Sequence, residues 1–234
     1  RKEKLVVLWY LCPELNCAFE DLFLPVTEPD IRILNIRSLR DPRKLFYQLT
    51  AGQRFGNDDI LAGKTDGVLN DDFYRGLKKR VYIFTWEHFY PSHDYSLYVP
   101  TAALQKRIDS FTKDFAPRCV GVHIRRTDNA VSMGKSTTEQ FIAEMRKELE
   151  EHPESRFFLA TDDQGEEDLL RREFPGKILS NQNRTIDRNS VEGMRDALLD
   201  LYCLSTTDKL IGSYWSSFTD IAADMRGIEK GIAG

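Results

Sequence analysis

The chain has 234 residues, of which 41% are hydrophobic and 30% charged, and a formal net charge of −4. This composition is that of a globular protein and excludes disordered, collagen-like and disulfide-scaffold classes. The charge argues against a nucleic-acid partner, and the longest apolar run, residues 5–12, is too short to cross a bilayer.

The first half of the chain shows strand and helix patterns with irregular spacing. The apolar run at its start predicts a fully buried parallel strand, and residues 50–72 predict a loop because they are polar and poorly periodic. The other predicted elements of this half are strands at 31–36 and 81–86 and helices at 42–49 and 101–115.

The second half alternates regularly between strand and helix patterns. Strands are predicted at 120–124, 156–160, 177–179 and 209–213, and the helices end near 174, 204 and 225. A Ser136-x-x-Glu139 capping box predicts the start of a further helix, between strands 120–124 and 156–160. This order predicts an α/β fold in which a parallel sheet carries helices on both faces.

The four cysteines lack the spacing of a zinc site or a thioredoxin motif. We expect buried free thiols, with a Cys12–Cys17 bridge as the alternative in a secreted or lumenal protein. The chain opens on Arg1 rather than Met, which suggests that a segment upstream is missing.

Ligands of open α/β sheets bind beyond the carboxyl ends of the strands, and the first such end carries His123, Arg125, Arg126 and Asp128. Adjacent guanidinium groups can bind a diphosphate bidentately, with Asp128 holding one of them by a salt bridge. The alternative is a solvated loop whose arginines pair with the next helix. His123 is either a functional group or an ordinary half-buried histidine.

Carboxylates and hydroxyls also lie at the end of strand 156–160, in the helix that ends near 204 and at the start of the last helix. Asp162 and Asp163 could bind a metal, a basic group or a sugar hydroxyl, or cap the next helix. Asp200 lies among leucines and therefore needs a partner, for which a guanine edge is one candidate. Ser216 and Ser217 open the last helix and predict either an anion site or a simple N-cap.

Several common fingerprints are missing from the sequence. It has no Gly-x-Gly-x-x-Gly segment, no P-loop, no Gly-x-Ser-x-Gly and no His-Glu-x-x-His. Its four histidines show no recurrent spacing, so a zinc centre is not expected.

Three segments together resemble the motifs of the α1,6-fucosyltransferase superfamily. This superfamily includes the nodulation and N-glycan core fucosyltransferases and, more distantly, the α1,2- and protein O-fucosyltransferases. The segments are Val-Gly-Val-His-Ile-Arg-Arg-Thr-Asp at 120–128, Phe-Leu-Ala-Thr-Asp-Asp at 158–163 and Leu-Asp-Leu-Tyr-Cys-Leu-Ser-Thr-Thr-Asp-Lys-Leu-Ile-Gly-Ser at 199–213. The match covers residues 118–225, whereas the first half resembles the family only vaguely.

The resemblance implies a GT-B-like α/β fold with two Rossmann-like domains. Residues 1–113 would form an acceptor-side domain, which would be incomplete if an upstream segment is missing, and residues 114–234 would form the domain that binds the nucleotide sugar. The implied reaction is an inverting, metal-independent transfer of fucose from GDP-fucose to a glycan hydroxyl. GDP-fucose would be the donor substrate, a glycan the acceptor, and no cofactor would be needed.

The resemblance also implies roles for individual residues. Arg125 would hold the β-phosphate of the donor, with Arg126 supporting the same loop, and the guanosine would be bound by His123 and Asp200. The other implied contributors are Asp162 and Asp163 of the second motif and Ser216 or Ser217, which would contact the phosphates.

Two departures from the family pattern leave alternatives open. Met133 stands where core fucosyltransferases have an acidic candidate for the catalytic base, and a Gly- and Asn-bearing loop of the first domain has no equivalent. The chain could therefore be an inactive nucleotide-sugar-binding or interaction protein, or a transferase that uses another nucleotide sugar. The sequence leaves the oligomeric state open; the expected compartment is the cytoplasm in a bacterium and the Golgi or ER lumen in a eukaryote.

Overall fold

The computed structural model describes residues 4–13, 15–87, 93–126, 134–187 and 189–234. The chain divides into two compact units, one made of residues 1–12 and 26–94 and the other of residues 13–25 and 95–234. This division differs from the expected 1–113 and 114–234 because a helix within 101–115 and the short segment 13–25 both pack in the second unit. The expected domain boundary stays a prediction.

The first unit contains a two-stranded parallel sheet of β1 (Leu5–Tyr10) and β2 (Ile31–Ile36), followed by helix α2 (Pro42–Thr50). Both predicted strands and the helix are confirmed in position. The predicted full burial of β1 is wrong, because this sheet covers the strand from one edge only and Leu5 remains 52% exposed.

The predicted loop at 50–72 is also wrong, since this stretch folds into several short elements. Asn70 caps one of them by accepting a hydrogen bond from the Phe73 N–H at 2.9 Å. Elements of two to six residues are too short to show a hydrophobic period. They are β3 (Gln53–Phe55), α3 (Asn57–Ala62), β4 (Lys64–Thr65), β5 (Val68–Leu69) and α4 (Asp71–Arg75), and β3 pairs in parallel with β6 (Val81–Ile83).

The second unit is built on a five-stranded parallel sheet in the order β11-β10-β7-β8-β9. It confirms the predicted fold class. Its strands are β7 (Cys119–Ile124), β8 (Arg156–Thr161), β9 (Ile178–Leu179), β10 (Lys209–Gly212) and β11 (Lys230–Ile232). Its helices are α1 (Phe19–Leu22), α5 (Ala102–Thr112), α6 (Thr138–Glu151), α7 (Gln164–Glu173), α8 (Val191–Leu204) and α9 (Ser217–Asp224).

Helices cover both faces of this sheet, as predicted, and the alternation of side chains along β7 shows why. Val120 and Val122 join a buried cluster with Phe141 of α6 on one face. Cys119 joins a second cluster with Leu199 of α8 on the opposite face. Because strand side chains alternate, His123 points to the face that carries α8.

Helix α6 begins one residue later than its predicted capping box. Thr137 is the N-cap, and the Gln140 side chain accepts a hydrogen bond from the Thr137 N–H at 2.7 Å. The predicted partners Ser136 and Glu139 are therefore wrong. Ser136 is fully buried, and its hydroxyl accepts a hydrogen bond from the Tyr214 N–H at 2.8 Å.

Segment 13–25 packs as an integral part of the second unit. Phe19 of α1 is 1% exposed, and the Leu22 carbonyl accepts a hydrogen bond from the Thr101 N–H at 2.9 Å. The Arg195 side chain donates to the Asp21 carbonyl at 3.1 Å, which fastens α1 to α8.

All four cysteines are free, so there is no Cys12–Cys17 bridge; the predicted burial is confirmed for Cys17, Cys119 and Cys203, whereas Cys12 is half-buried. Burial raises the pKa of the Cys119 thiol to about 12. Within the described residues, no helix has the length and apolar character needed to span a membrane.

Gly212 lies so close to α9 that it sets the packing of this helix. A Cβ atom at Gly212 would overlap the Thr219 side chain, whose Oγ1 would lie 2.7 Å away. Thr219 is β-branched and 1% exposed, so it has no room to move. We expect Gly212→Ala to lower the free energy of unfolding by about 1–3 kcal/mol, as overpacked cores do.

Urea unfolding measures this effect, with Gly231→Ala in the neighbouring strand as the matched control. A Cβ atom at Gly231 would make an ordinary contact of 3.7 Å with the Leu210 carbonyl, so this variant should unfold like the wild type. Equal stability of the two variants would contradict the close approach of α9 to β10.

Candidate functional site

A pocket opens at the carboxyl ends of β7 and β8, in the second unit. Predicted residues from all three sequence motifs line it: His123 and Arg125 from the first, Asp162 from the second and Asp200 from the third. The predicted site residues outside this lining are Arg126, Asp163, Ser216 and Ser217. Asp128 and Met133 lie outside the described residues.

The His123 ring is fixed in the wall of the pocket. Its Nδ1 atom lies 2.8 Å from Thr219 Oγ1 and 3.3 Å from Ser216 Oγ, and the ring stacks on Phe218 at 4.8 Å between centroids. With 7% exposure, His123 is nearly buried. These contacts tie the end of β7 to the start of α9.

Arg125 is positioned by its main chain. Its N–H donates to Ser213 Oγ at 3.1 Å, and the same hydroxyl donates to the His123 carbonyl at 3.2 Å. Ser213 therefore connects the ends of β7 and β10 just where Arg125 enters the pocket. The sequence analysis did not select Ser213, although its place at a strand end was the available signal.

Arg126 is held within the second unit by several hydrogen bonds. Its Nε donates to Glu166 Oε1 at 2.6 Å, Nη1 to the Ser136 carbonyl at 2.9 Å and Nη2 to Thr138 Oγ1 at 3.2 Å. Its main-chain N–H donates to Asp162 Oδ1 at 2.8 Å. These contacts fasten Arg126 to the starts of α6 and α7, and the supporting role that the resemblance implied stays a prediction.

Replacing Arg126 with alanine should lower the free energy of unfolding by about 3 kcal/mol, because breaking a buried ion pair leaves one charge uncompensated. The Arg126 and Glu166 side chains are only 11% and 12% exposed. Arg146→Ala is the control, since its side chain is 62% exposed and pairs with Glu173 at the surface. Exposed pairs contribute about 0–1 kcal/mol. If urea unfolding shows the same loss of unfolding free energy in both variants, the buried pair contributes no more to stability than the surface pair.

Asp163 and Ser216 act as helix caps in the structure. Asp163 Oδ1 accepts from the Glu166 N–H at 2.9 Å at the start of α7. Ser216 Oγ accepts from the Thr219 N–H at 3.5 Å at the start of α9, and Ser217 is the exposed first residue of that helix. Capping was the simpler alternative for both positions.

Asp200 is buried at the base of the pocket. Its Oδ1 atom has no hydrogen-bond partner among the described residues. Burial raises the pKa of this carboxyl group from its usual value to about 8; Arg184 lowers the pKa, and Asp196 and Glu167 raise it further.

Asp196 lines the pocket one helical turn before Asp200, and the sequence analysis missed it. It forms an ion pair with Arg107, and its other oxygen accepts from the Thr185 N–H at 2.8 Å. Asn181 Nδ2 donates to it at 3.2 Å. The spacing of Asp196 and Asp200, which puts both on one helix face, was a usable signal.

Arg184 is the second missed residue, in the irregular stretch between β9 and α8. Its side chain is 6% exposed, and its Nη1 atom donates to Glu167 Oε2 at 2.5 Å and to the Asn181 carbonyl at 3.2 Å. The Nε and Nη2 atoms have no hydrogen-bond partner among the described residues. No periodicity marks this position in the sequence.

The described residues contain no group of three or more His, Cys, Asp or Glu side chains arranged to hold a metal ion. The expected independence from metals stays a prediction.

Comparisons with known proteins find similarity at the level of structure. No protein-family model matches the chain, and no curated protein matches it. The NodZ α-1,6-fucosyltransferase soaked with GDP-fucose aligns with a TM-score of 0.59 and 16% identity, over 95% of this chain and 82% of NodZ. A second structure, fucosyltransferase NodZ from Bradyrhizobium, aligns with a TM-score of 0.59 and 17% identity, over 94% of this chain and 82% of that chain.

Two other solved structures are similar. A mutant of FUT1 from Arabidopsis thaliana in complex with GDP aligns with a TM-score of 0.57 and 14% identity, over 92% of this chain and 61% of FUT1. The apo form of POFUT1 aligns with a TM-score of 0.52 and 12% identity, over 92% of this chain and 84% of POFUT1. The chain therefore has a GT-B-like fold, similar to the fold of these proteins.

Proposed function

We propose that the chain is a glycosyltransferase that transfers fucose from GDP-fucose to a glycan hydroxyl, with inversion and without a metal ion. The observation that carries this proposal is the gathering of His123 and Arg125 of the first motif and Asp200 of the third into one pocket. The fold adds support, since similar structures include a fucosyltransferase soaked with GDP-fucose and one bound to GDP.

The guanosine part of the donor is assigned to Asp200 and His123. Asp200 Oδ1, which has no partner among the described residues, can accept hydrogen bonds from the N–H groups of guanine. His123 lines the same pocket on a neighbouring element. A buried carboxylate gains most from such partners because water does not reach it.

The diphosphate is assigned to Arg125 at the pocket and to the start of α9. When the bond between fucose C1 and the phosphate oxygen breaks, its electron pair leaves with GDP. A fixed guanidinium stabilises the charge that develops there. Ser216, Ser217 and Asp128 stay proposed helpers at this end of the site.

The acceptor hydroxyl attacks C1 from the side opposite the diphosphate, which inverts the configuration. Its proton must pass to a base. The family position for that base is Met133, whose thioether is too weak an acceptor for this purpose. The proposal therefore leaves the base unassigned.

The test is incubation with GDP-fucose and a panel of glycan acceptors, with product detected by mass spectrometry and GDP release measured in parallel. Product formed in the presence of EDTA supports the proposal. Binding of GDP by calorimetry without product on any acceptor would favour an inactive binding protein. Stronger thermal stabilisation by UDP or ADP than by GDP would favour another nucleotide sugar. The compartment, cytoplasm or Golgi or ER lumen, stays a prediction.

A further inference from the structure

Two buried side chains, one basic and one acidic, line the same pocket and carry polar atoms without hydrogen-bond partners among the described residues. Arg184 has Nε and Nη2 without hydrogen-bond partners among the described residues, and Asp200 has Oδ1 in the same condition. A buried polar atom that lacks a partner costs about 1–3 kcal/mol. Because the two groups do not satisfy each other, the arrangement fits a ligand that offers both acceptors and donors.

The guanidinium of Arg184 is held in place from one side only. Its Nη1 atom donates to Glu167 Oε2 at 2.5 Å, and Glu167 is 1% exposed. Glu167 is itself fixed by Arg171, whose Nε donates to it at 2.9 Å, and by the Ser180 hydroxyl at 2.5 Å. These contacts fix Arg184 through Nη1 and leave the Nε and Nη2 edge for another group.

We propose that Arg184 donates a hydrogen bond to O6 of guanine while Asp200 accepts from guanine N1–H and N2–H. The inference rests on the proposed function, and it adds the residue that selects the base. The edge of guanine places the O6 acceptor beside two donors, which matches one cationic and one anionic side chain. Adenine presents a donor at position 6 and an acceptor at N1. Its donor would face the Arg184 donor, and its acceptor would face the Asp200 carboxylate.

The experiment compares the affinities of GDP and 6-thio-GDP by calorimetry at the same pH. The thio analogue keeps both N–H donors and replaces O6 by sulfur, which accepts hydrogen bonds weakly. The wild type should bind GDP about tenfold or more tightly than 6-thio-GDP. Arg184→Met and Arg184→Gln should bind GDP about 10–100-fold more weakly than the wild type, with little preference left between the two nucleotides.

Arg118→Met is the matched control, because Arg118 also pairs with a buried carboxylate, Glu148, and neither residue lines the pocket. Its GDP affinity and its preference for GDP should stay within about threefold of the wild-type values.

Equal binding of GDP and 6-thio-GDP by the wild type would overturn the inference while leaving the proposed function intact. This measurement needs no variant, so it holds even where Arg184 variants fail to fold. An unchanged preference in Arg184→Met would overturn the inference as well. Absence of GDP binding by the wild type would overturn the proposed function and the inference together.

Discussion

Arg125→Ala is expected to lower kcat/KM for fucose transfer by about 10²–10³-fold, as the loss of one fixed donor to a developing negative charge does in other enzymes. Arg125 lines the pocket at the end of β7, and its main-chain N–H is anchored by Ser213. The alanine variant keeps this anchor, so the loss comes from the guanidinium alone. The measurement is the initial rate of product formation at several donor concentrations.

Arg125→Lys separates the shape of the group from its charge. An ammonium keeps the positive charge but lacks the planar fork, so this variant should also lose most of the activity. Urea unfolding of both variants serves as the control for stability, since the Ser213 contact is made by the main chain and does not depend on the side chain. Transfer by Arg125→Ala within about threefold of the wild-type rate would remove Arg125 from the proposed mechanism.

The second large effect concerns pH and Asp200. Burial raises the pKa of this carboxyl group to about 8, so it is mostly neutral at pH 7. The proposed guanine contact needs its ionised form. The affinity for GDP should therefore rise about tenfold per pH unit between roughly pH 5 and pH 8 and level off above that range.

Calorimetry over this pH range measures the rise, and Asp200→Asn is the reference because an amide does not ionise. The phosphate groups of GDP titrate equally with both proteins, so the ratio of the two affinities isolates Asp200. The charged groups that act on Asp200 are Arg184, Arg107, Asp196 and Glu167. A ratio that stays constant from pH 5 to pH 8 would rule out ionisation of Asp200 on GDP binding.

The same pKa predicts the opposite trend for the stability of the free protein. The folded pKa lies above the ordinary value of 3.8, so the folded state holds this proton more tightly than the unfolded state does. The contribution is complete below about pH 4 and is lost as pH rises towards 8. Asp200→Asn should lack this part of the pH dependence in urea unfolding.

The second unit could be predicted well because its elements are long and alternate regularly. Helix α8 was expected to end at 204, and it ends at Leu204; the strand before Arg125 was placed within one residue of its observed start. Strand ends then pointed to His123 and Arg125 because a parallel sheet collects such ends at one edge. This rule needs no knowledge of side-chain contacts. Asp200, which lies in helix α8, was selected because a carboxylate among leucines needs a partner.

Other features depend on contacts between residues distant in sequence, which a linear pattern does not contain. Strand β11 has three residues, Lys-Gly-Ile, and forms only because β10 offers it an edge. Arg184 becomes a site residue only through Glu167 and the pocket. For Asp163 and Ser216, the sequence allowed both capping and ligand binding, and the hydrogen bonds of the structure show the caps.

The path of the chain limits how this protein can be taken apart. Residues 13–25 pack in the second unit although the chain then returns to the first one for residues 26–94. A fragment that starts at residue 95 would lack Phe19, whose side chain is 1% exposed in the intact chain, and would leave the space that it fills empty. A domain swap or a circular permutation of the second unit must therefore carry these thirteen residues with it.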